Sequence, residues 1–203
     1  GEFWSFFLHY QPEASSCPLG KLYSNPYLAI IRILQLMPPD VTLIVREHPA
    51  TFWSDSQANT YFRNPNIYGD LTSLDKRVKL CSHSVSSSRL ISSSALVVTL
   101  TGTVAKQAAL SDKPVLTLGA SQYDGLYGIY SIDQLLSIAK TANSPVDASQ
   151  LVCSSRTFLD QLNARMRHSC FGSENSNPTI TYHDACTKAL IEGINHLDHK
   201  ELL

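Results

Sequence analysis

Three short clusters in this sequence combine residue types that can grip an activated, anionic substrate. The first is Thr101-Gly102-Thr103, a glycine between hydroxyls just after an apolar run. A glycine at a strand-to-helix turn lets the backbone approach a ligand closely. The free N–H groups and partial positive charge of a helix start then favour phosphate. The plainer alternative is a helix cap on a tight turn. The second cluster is Glu47-His48-Pro49. Pro49 stops a strand and fixes the turn, holding His48 where it could donate to a phosphate oxygen, a ribose or a base. A histidine satisfied by local backbone is the alternative. The third is His9-Tyr10-Gln11-Pro12-Glu13. Glu13 is its candidate acid or base, and His9 or Gln11 could orient a sugar; a solvated loop is the other reading. Tyr123-Asp124-Gly125 is weaker, either a lid over base or sugar or a surface turn.

These clusters need a scaffold, and the apolar runs supply one. Phe3 to Leu8 is a nearly all-apolar run that suits a strand buried on both faces, and Val41 to Val45, a brief Val78 to Leu80, Ala95 to Leu100 and Lys113 to Leu118 read as the strands that follow it. Helical patterns separate them. Ser24-Asn25-Pro26 opens one whose expected buried side is Tyr27, Ile30, Ile31 and Leu34, stopped by Pro38-Pro39. A helix is expected within residues 51–64, another over Val85 to Ser94, and a third from the Thr101 turn to Leu110. The remainder reads as helical: Ile132 to Lys140, Ser155 to Arg167 and Tyr182 to His196, with a polar loop over Gly172 to Thr179. Strands alternating with helices predict an α/β fold, a Rossmann-like parallel sheet flanked by helices. The clusters all fall after strands, at the carboxyl edge where such sheets bind ligands.

Composition narrows the function classes. With 203 residues, 43% hydrophobic and 16% charged, the chain can bury a full core. A net charge of -1 without a basic stripe argues against a nucleic-acid partner. Cys17, Cys81, Cys153, Cys170 and Cys186 form no CxxC pair and are odd in number, so reduced thiols in the cytoplasm are expected. No apolar run reaches the ~20 residues of a membrane span, and no signal peptide precedes the first strand. GxGxxG, GxxxxGK[ST] and GxSxG are absent, which disfavours dinucleotide enzymes, P-loop NTPases and α/β-hydrolases. His83, His196 and His199 lie far from the clusters and read as surface residues. Gly1-Glu2-Phe3 resembles a cloning remnant, so the chain is expected to be a piece of a longer protein.

Phe6-Phe7-Leu8-His9-Tyr10-Gln11-Pro12-Glu13, Arg46-Glu47-His48-Pro49, and Thr101-Gly102-Thr103 with Lys113-Pro114-Val115 occur in an order that resembles the C-terminal half of capsule polysaccharide biosynthesis proteins. That group includes the Kdo transferases of capsule and lipopolysaccharide assembly, and the resemblance covers roughly residues 3 to 135. It implies one half of a GT-B fold, with residues 1–145 as the nucleotide-sugar-binding domain and 146–203 as C-terminal helices packing on it. It implies that His48 and Pro49 contact a cytidine nucleotide, that Thr101, Gly102 and Thr103 contact its phosphate, and that Glu47 reaches the ribose or base. Members of the family often carry a glutamate where this chain has Gln107, which can bond a ribose but brings no charge. The donor implied is a CMP-activated acidic sugar such as CMP-Kdo, transferred without metal or other cofactor to a polysaccharide or lipid-linked acceptor. The missing N-terminal half would complete the site, leaving this half inactive by itself, with Glu13 its only nominated catalytic carboxylate. The expected location is cytoplasmic, or peripheral at the inner face of the membrane. A UDP-sugar transferase or 2-epimerase-like half, and a non-catalytic docking module, are the alternatives.

Overall fold

The computed structural model describes residues 1–10, 18–52, 66–82 and 84–170. Gln11, Glu13, His83, most of the helix expected within 51–64, and the loop and helix expected after residue 171 lie outside the described residues. The chain divides into two compact units, Gly1–Ala164 and Arg165–Leu203. The second contributes only the final residues of one helix to what is described.

Six strands build the first unit: β1 (Phe3–Phe7), β2 (Thr42–Arg46), β3 (Val78–Leu80), β4 (Leu96–Thr99), β5 (Val115–Thr117) and β6 (Ile129–Ser131). They form one sheet in the order β3-β2-β1-β4-β5-β6, and every pairing is parallel. The helices are α1 (Pro26–Leu36), α2 (Ile67–Ser73), α3 (Ser87–Ser93), α4 (Val104–Leu110), α5 (Ile132–Ala142) and α6 (Ser155–Cys170). Strand order reverses between β1 and β4. A Rossmann-like sheet opens its ligand crevice at such a switch point, beyond the carboxyl ends of the strands.

The alternation of side chains along β1 explains why nearly all of it is apolar. Trp4 and Phe6 enter one core with Leu43, Val45, Leu96, Val98 and Leu116, beneath Ala29, Ile30 and Ile33 of α1 and Leu135 of α5. Phe7 enters the other with Val97 and Val115, covered by Leu90 and Ile91 of α3, the alanines of α4 and Phe158 of α6. Both faces are buried, as a parallel sheet requires. Ser5 is the polar exception. Its hydroxyl lies 2.8 Å from that of Ser94, which reaches the Leu90 carbonyl at 2.7 Å.

The Asn25 side chain caps α1 by accepting from the Tyr27 and Leu28 N–H groups, with Pro26 in the first turn. Of the expected stripe, Ile30 is buried and Tyr27 and Leu34 pack half-buried against the core, but Ile31 is 42% exposed, and the fully buried residues are Ala29, Ile30, Ile33 and Leu36. Ala29 is fully buried in that core, a small residue that reading by side-chain bulk passes over. Two further elements depart from expectation. α2 has only seven residues, anchored by fully buried Leu71, too short for a visible hydrophobic period. β6 breaks the stretch read as wholly helical. It pairs three residues with β5, and only Ile129 among them is buried.

Beyond α5 the chain stays in the core. The Val146 N–H donates to the Leu36 carbonyl at 2.8 Å, and Val146, Ala148 and Phe158 are all buried. Cys81 and Cys153 are free thiols. Burial, and secondarily the charge of Asp112, pushes the Cys153 thiol up to about 11. Its folded-state value therefore lies above that of the unfolded chain. The stability this contributes is intact below about pH 9 and lost as pH rises towards 11. Melting temperatures measured over that range should fall less steeply in Cys153→Ala than in the parent. Parallel curves would contradict the assignment. No helix among the described residues is long and apolar enough to cross a membrane.

Candidate functional site

The sheet register explains why distant sequence clusters meet. Arg46, Phe7, Thr99 and Thr117 lie in one lateral row at the carboxyl ends of β2, β1, β4 and β5. Two residues past that row stand His48, His9, Thr101 and Gly119. Equal offsets on adjacent parallel strands bring them side by side, and the His9 Nε2 and Thr101 Oγ1 atoms are 3.3 Å apart.

Above this edge lies a cleft of about 670 Å³. Among its walls are His9, Glu47, His48, Pro49, Thr101, Gly102, Thr103 and Gln107. Eight of the residues singled out in the sequence thus share one cavity. Gln11 and Glu13 lie outside the described residues. Tyr123 is turned away: it is 6% exposed and packs on Phe158, with ring centroids 6.3 Å apart. Its neighbour Gln122 lines the cleft instead, and its amide donates to the Tyr123 hydroxyl. The Asp124 carboxylate accepts from the Thr117 hydroxyl and the Ser121 N–H, both at 2.9 Å. The Tyr123-Asp124-Gly125 segment is therefore a pinned turn that buries an aromatic anchor, not a lid.

The turn after β4 is tightly determined. The Gly102 N–H donates to the Thr99 hydroxyl at 3.3 Å. A Cβ at Gly102 would stand 3.0 Å from that oxygen and 3.1 Å from His9 Nε2, so glycine lets the turn pass beneath the histidine. Thr103 occupies the cap position of α4 in helical conformation without a side-chain capping bond, and it is exposed. The plain-cap reading of its hydroxyl therefore does not hold. At Gly119 a Cβ would lie 2.7 Å from the Leu19 carbonyl and 2.9 Å from Thr101 Cγ2. Gly119 thereby lets Leu19 close one side of the cleft, with the Ala120 N–H donating to the Leu19 carbonyl at 3.0 Å.

Across the cleft, the Tyr68 hydroxyl donates to the Glu47 carboxylate. Glu47 also borders a smaller adjoining pocket of about 300 Å³ with Tyr68, Leu71, Leu80 and Cys81. The Tyr10 ring lies 6.3 Å from that of His48. The Gln107 amide donates to the Ser88 hydroxyl at 3.3 Å. Residues that sequence reasoning passed over also line the site, chiefly Arg46, Ser87, Leu19 and Gln122. Arg46 stood inside a quoted motif, but its position at the end of a strand hid its part in the cleft.

A parallel sheet whose switch point carries imidazoles, hydroxyls and a glycine turn defines a Rossmann-like α/β domain with a cleft at its carboxyl edge. Within that class the chain belongs to the family of capsule polysaccharide biosynthesis proteins, whose model matches residues 27–164. No curated protein matches it at a significant level. Among solved structures it is similar to KpsC of Thermosulfurimonas dismutans, a β-Kdo 2,7-transferase, at 17% identity and a TM-score of 0.50, covering 74% of this chain and 43% of that one. It is also similar to the UDP-GlcNAc 2-epimerases of Methanocaldococcus jannaschii (14% identity, TM-score 0.46, 81% of this chain and 45% of that) and Neisseria meningitidis (12% identity, TM-score 0.47, 85% and 44%). At these identities the likeness is one of fold. The chain spans less than half the length of each of these structures. Family and fold together make it a Rossmann-like domain of the capsule polysaccharide biosynthesis family.

Proposed function

We propose that this chain is the donor-binding half of a two-domain GT-B glycosyltransferase of capsule polysaccharide synthesis, and that its cleft takes a CMP-activated acidic sugar such as CMP-Kdo. The observation that carries this reading is the convergence of His9, His48, Thr101, Gly102 and Thr103 at the switch point of the sheet. His48 and the threonine hydroxyls donate to the phosphate that departs as the glycosidic bond forms, countering its growing charge. Glu47, oriented by Tyr68, and Gln107 offer acceptors or amide donors to ribose and base. Glu13 remains the nominated catalytic carboxylate of this half. A second Rossmann-like half holds the acceptor, a growing polysaccharide or a lipid-linked sugar, on the cytoplasmic side of the membrane. Phosphate stabilisation in this scheme rests on side chains and uses no cofactor.

Calorimetric titration with CMP, UMP, UDP and GDP tests the reading. CMP is expected to bind best, and His48→Ala to weaken it by about tenfold to a hundredfold, the loss of one hydrogen bond to a charged group. Preference for UDP would move the donor to a uridine sugar. Failure of all four, both here and in a two-domain parent, would leave a docking module instead.

A further inference from the structure

The cleft contains a charge that the sequence clusters do not account for. Among the described residues lining it, Arg46 alone is an arginine or lysine. Its side chain is 6% exposed. Nη1 donates to the Ser87 hydroxyl at 2.8 Å and Nη2 to the Val85 carbonyl at 3.0 Å. The guanidinium carbon lies 5.8 Å from the centroid of the Phe7 ring, and Nε is buried with no partner. Among the described residues no carboxylate pairs with it; the ion pair found there joins Arg77 to Asp75.

A buried charge is costly unless an opposite charge compensates it. Arg46 meets only two neutral acceptors and an aromatic face, while a guanidinium carries five N–H donors. The same contacts that leave it uncompensated hold it still. Ser87 and Val85 fix the fork from the α3 side, and Phe7 supports its plane from the neighbouring strand. Arg46 and Thr99 also flank Phe7 in one register row, about 10 Å apart across two strand spacings. The Thr99 hydroxyl secures the Gly102 turn, so an oxyanion above the end of β1 would have the guanidinium on one side and that turn on the other.

We propose that Arg46 is the anion-reading residue of the cleft, pairing with a phosphate of the bound nucleotide and setting the preference for nucleotide over nucleoside. This deepens the donor-binding reading and rests on it. The charge is already desolvated and oriented before the ligand arrives, so less is lost in ordering it on binding. A planar fork also suits phosphate oxygens better than an ammonium would.

The test is calorimetry of the full chain with CMP, cytidine, inorganic pyrophosphate and free Kdo, in the parent, Arg46→Gln, Arg46→Lys and Ser87→Ala. In Arg46→Gln the preference for CMP over cytidine should fall by about tenfold to a hundredfold, with cytidine affinity retained. Arg46→Lys should keep part of the preference, and Ser87→Ala should lower it by loosening the fork. A melting transition in each variant reports folding. If Arg46→Gln does not fold, the other two variants decide, and an unchanged ratio in both overturns the proposal. Loss of Kdo binding with an intact CMP-to-cytidine ratio also overturns it, assigning Arg46 to the sugar carboxylate. Pyrophosphate binding that needs Arg46, without CMP binding, would sustain the proposal and defeat the cytidine reading. CMP binding indifferent to Arg46 would do the reverse, and binding of neither would defeat both.

Discussion

Phe158→Ala is expected to destabilise the first unit by ~3–5 kcal/mol, the range for emptying an aromatic site in a packed core. At roughly 2–4 °C per kcal/mol for a domain of this size, the melting temperature should drop on the order of 10 °C. The size of the effect follows from position. Phe158 is fully buried beneath the sheet face that carries Phe7, Val97 and Val115, and it meets the ring of Tyr123. Two polar bonds hold the same junction: the Tyr127 N–H donates to the Gln161 side chain and the Ser155 N–H to the Asp112 carboxylate, each at 2.6 Å. Ending the chain at residue 145 would remove Phe158, Val146 and Ala148 together. The shortened chain should therefore lose its cooperative transition, whereas ending at residue 164 should preserve it. Thermal melts of the two truncations and the point variant check this, and a stable 1–145 chain would contradict the packing described.

Gly102→Val carries the largest expected effect on ligand binding. Its branched side chain would push into His9 and Thr99 and then into the cleft itself. Overpacking at such a site typically costs about 1–3 kcal/mol of stability. Nucleotide affinity should fall below detection, because the turn that carries Thr101 and Thr103 has to move. Gly102→Ala separates the two causes. Its single methyl meets His9 Nε2 and Cε1 and the Thr99 hydroxyl. In a His9→Ala background much of that crowding disappears, so the stability cost of Gly102→Ala should shrink. A double-mutant cycle on melting free energies measures the coupling. Additive costs would mean that His9 does not press on the turn.

The parallel sheet was legible because its central strands are apolar on both faces. Runs such as Phe3 to Leu8 and Ala95 to Leu100 are too short for a helix of the core and too apolar for a half-exposed strand. One edge of the sheet, β3, was read from Val78 to Leu80, but the other, β6, was not legible. β6 holds three residues, one of them buried, and no period can appear in so short a segment. The α1 stripe was misplaced by one residue step because bulk was weighed above fit: the small Ala29 is fully buried, whereas the bulky Ile31 is 42% exposed. At the site, polar clusters beyond strand ends pointed to the cleft, since a shared offset from a common register row is a consequence of parallel pairing. Tyr123 and Gln122 show the limit of that reasoning. Adjacent residues in a turn face opposite ways, and only the fold shows that the aromatic one is buried and the amide lines the cleft. Arg46 was missed for a related reason. The last residue of a strand reads as scaffold until its partners are known.

The central claim is that nucleotide enters the cleft at the carboxyl ends of β1, β2 and β4. The most direct measurement is an amide chemical-shift titration of the ¹⁵N-labelled chain with CMP. The account predicts saturable shifts concentrated at Leu8 and His9, Glu47 and His48, and Thr101 to Val104, with the N–H of Gly102 among the largest. Shifts centred on the opposite edge of the sheet, or none at millimolar CMP in a folded sample, would contradict it.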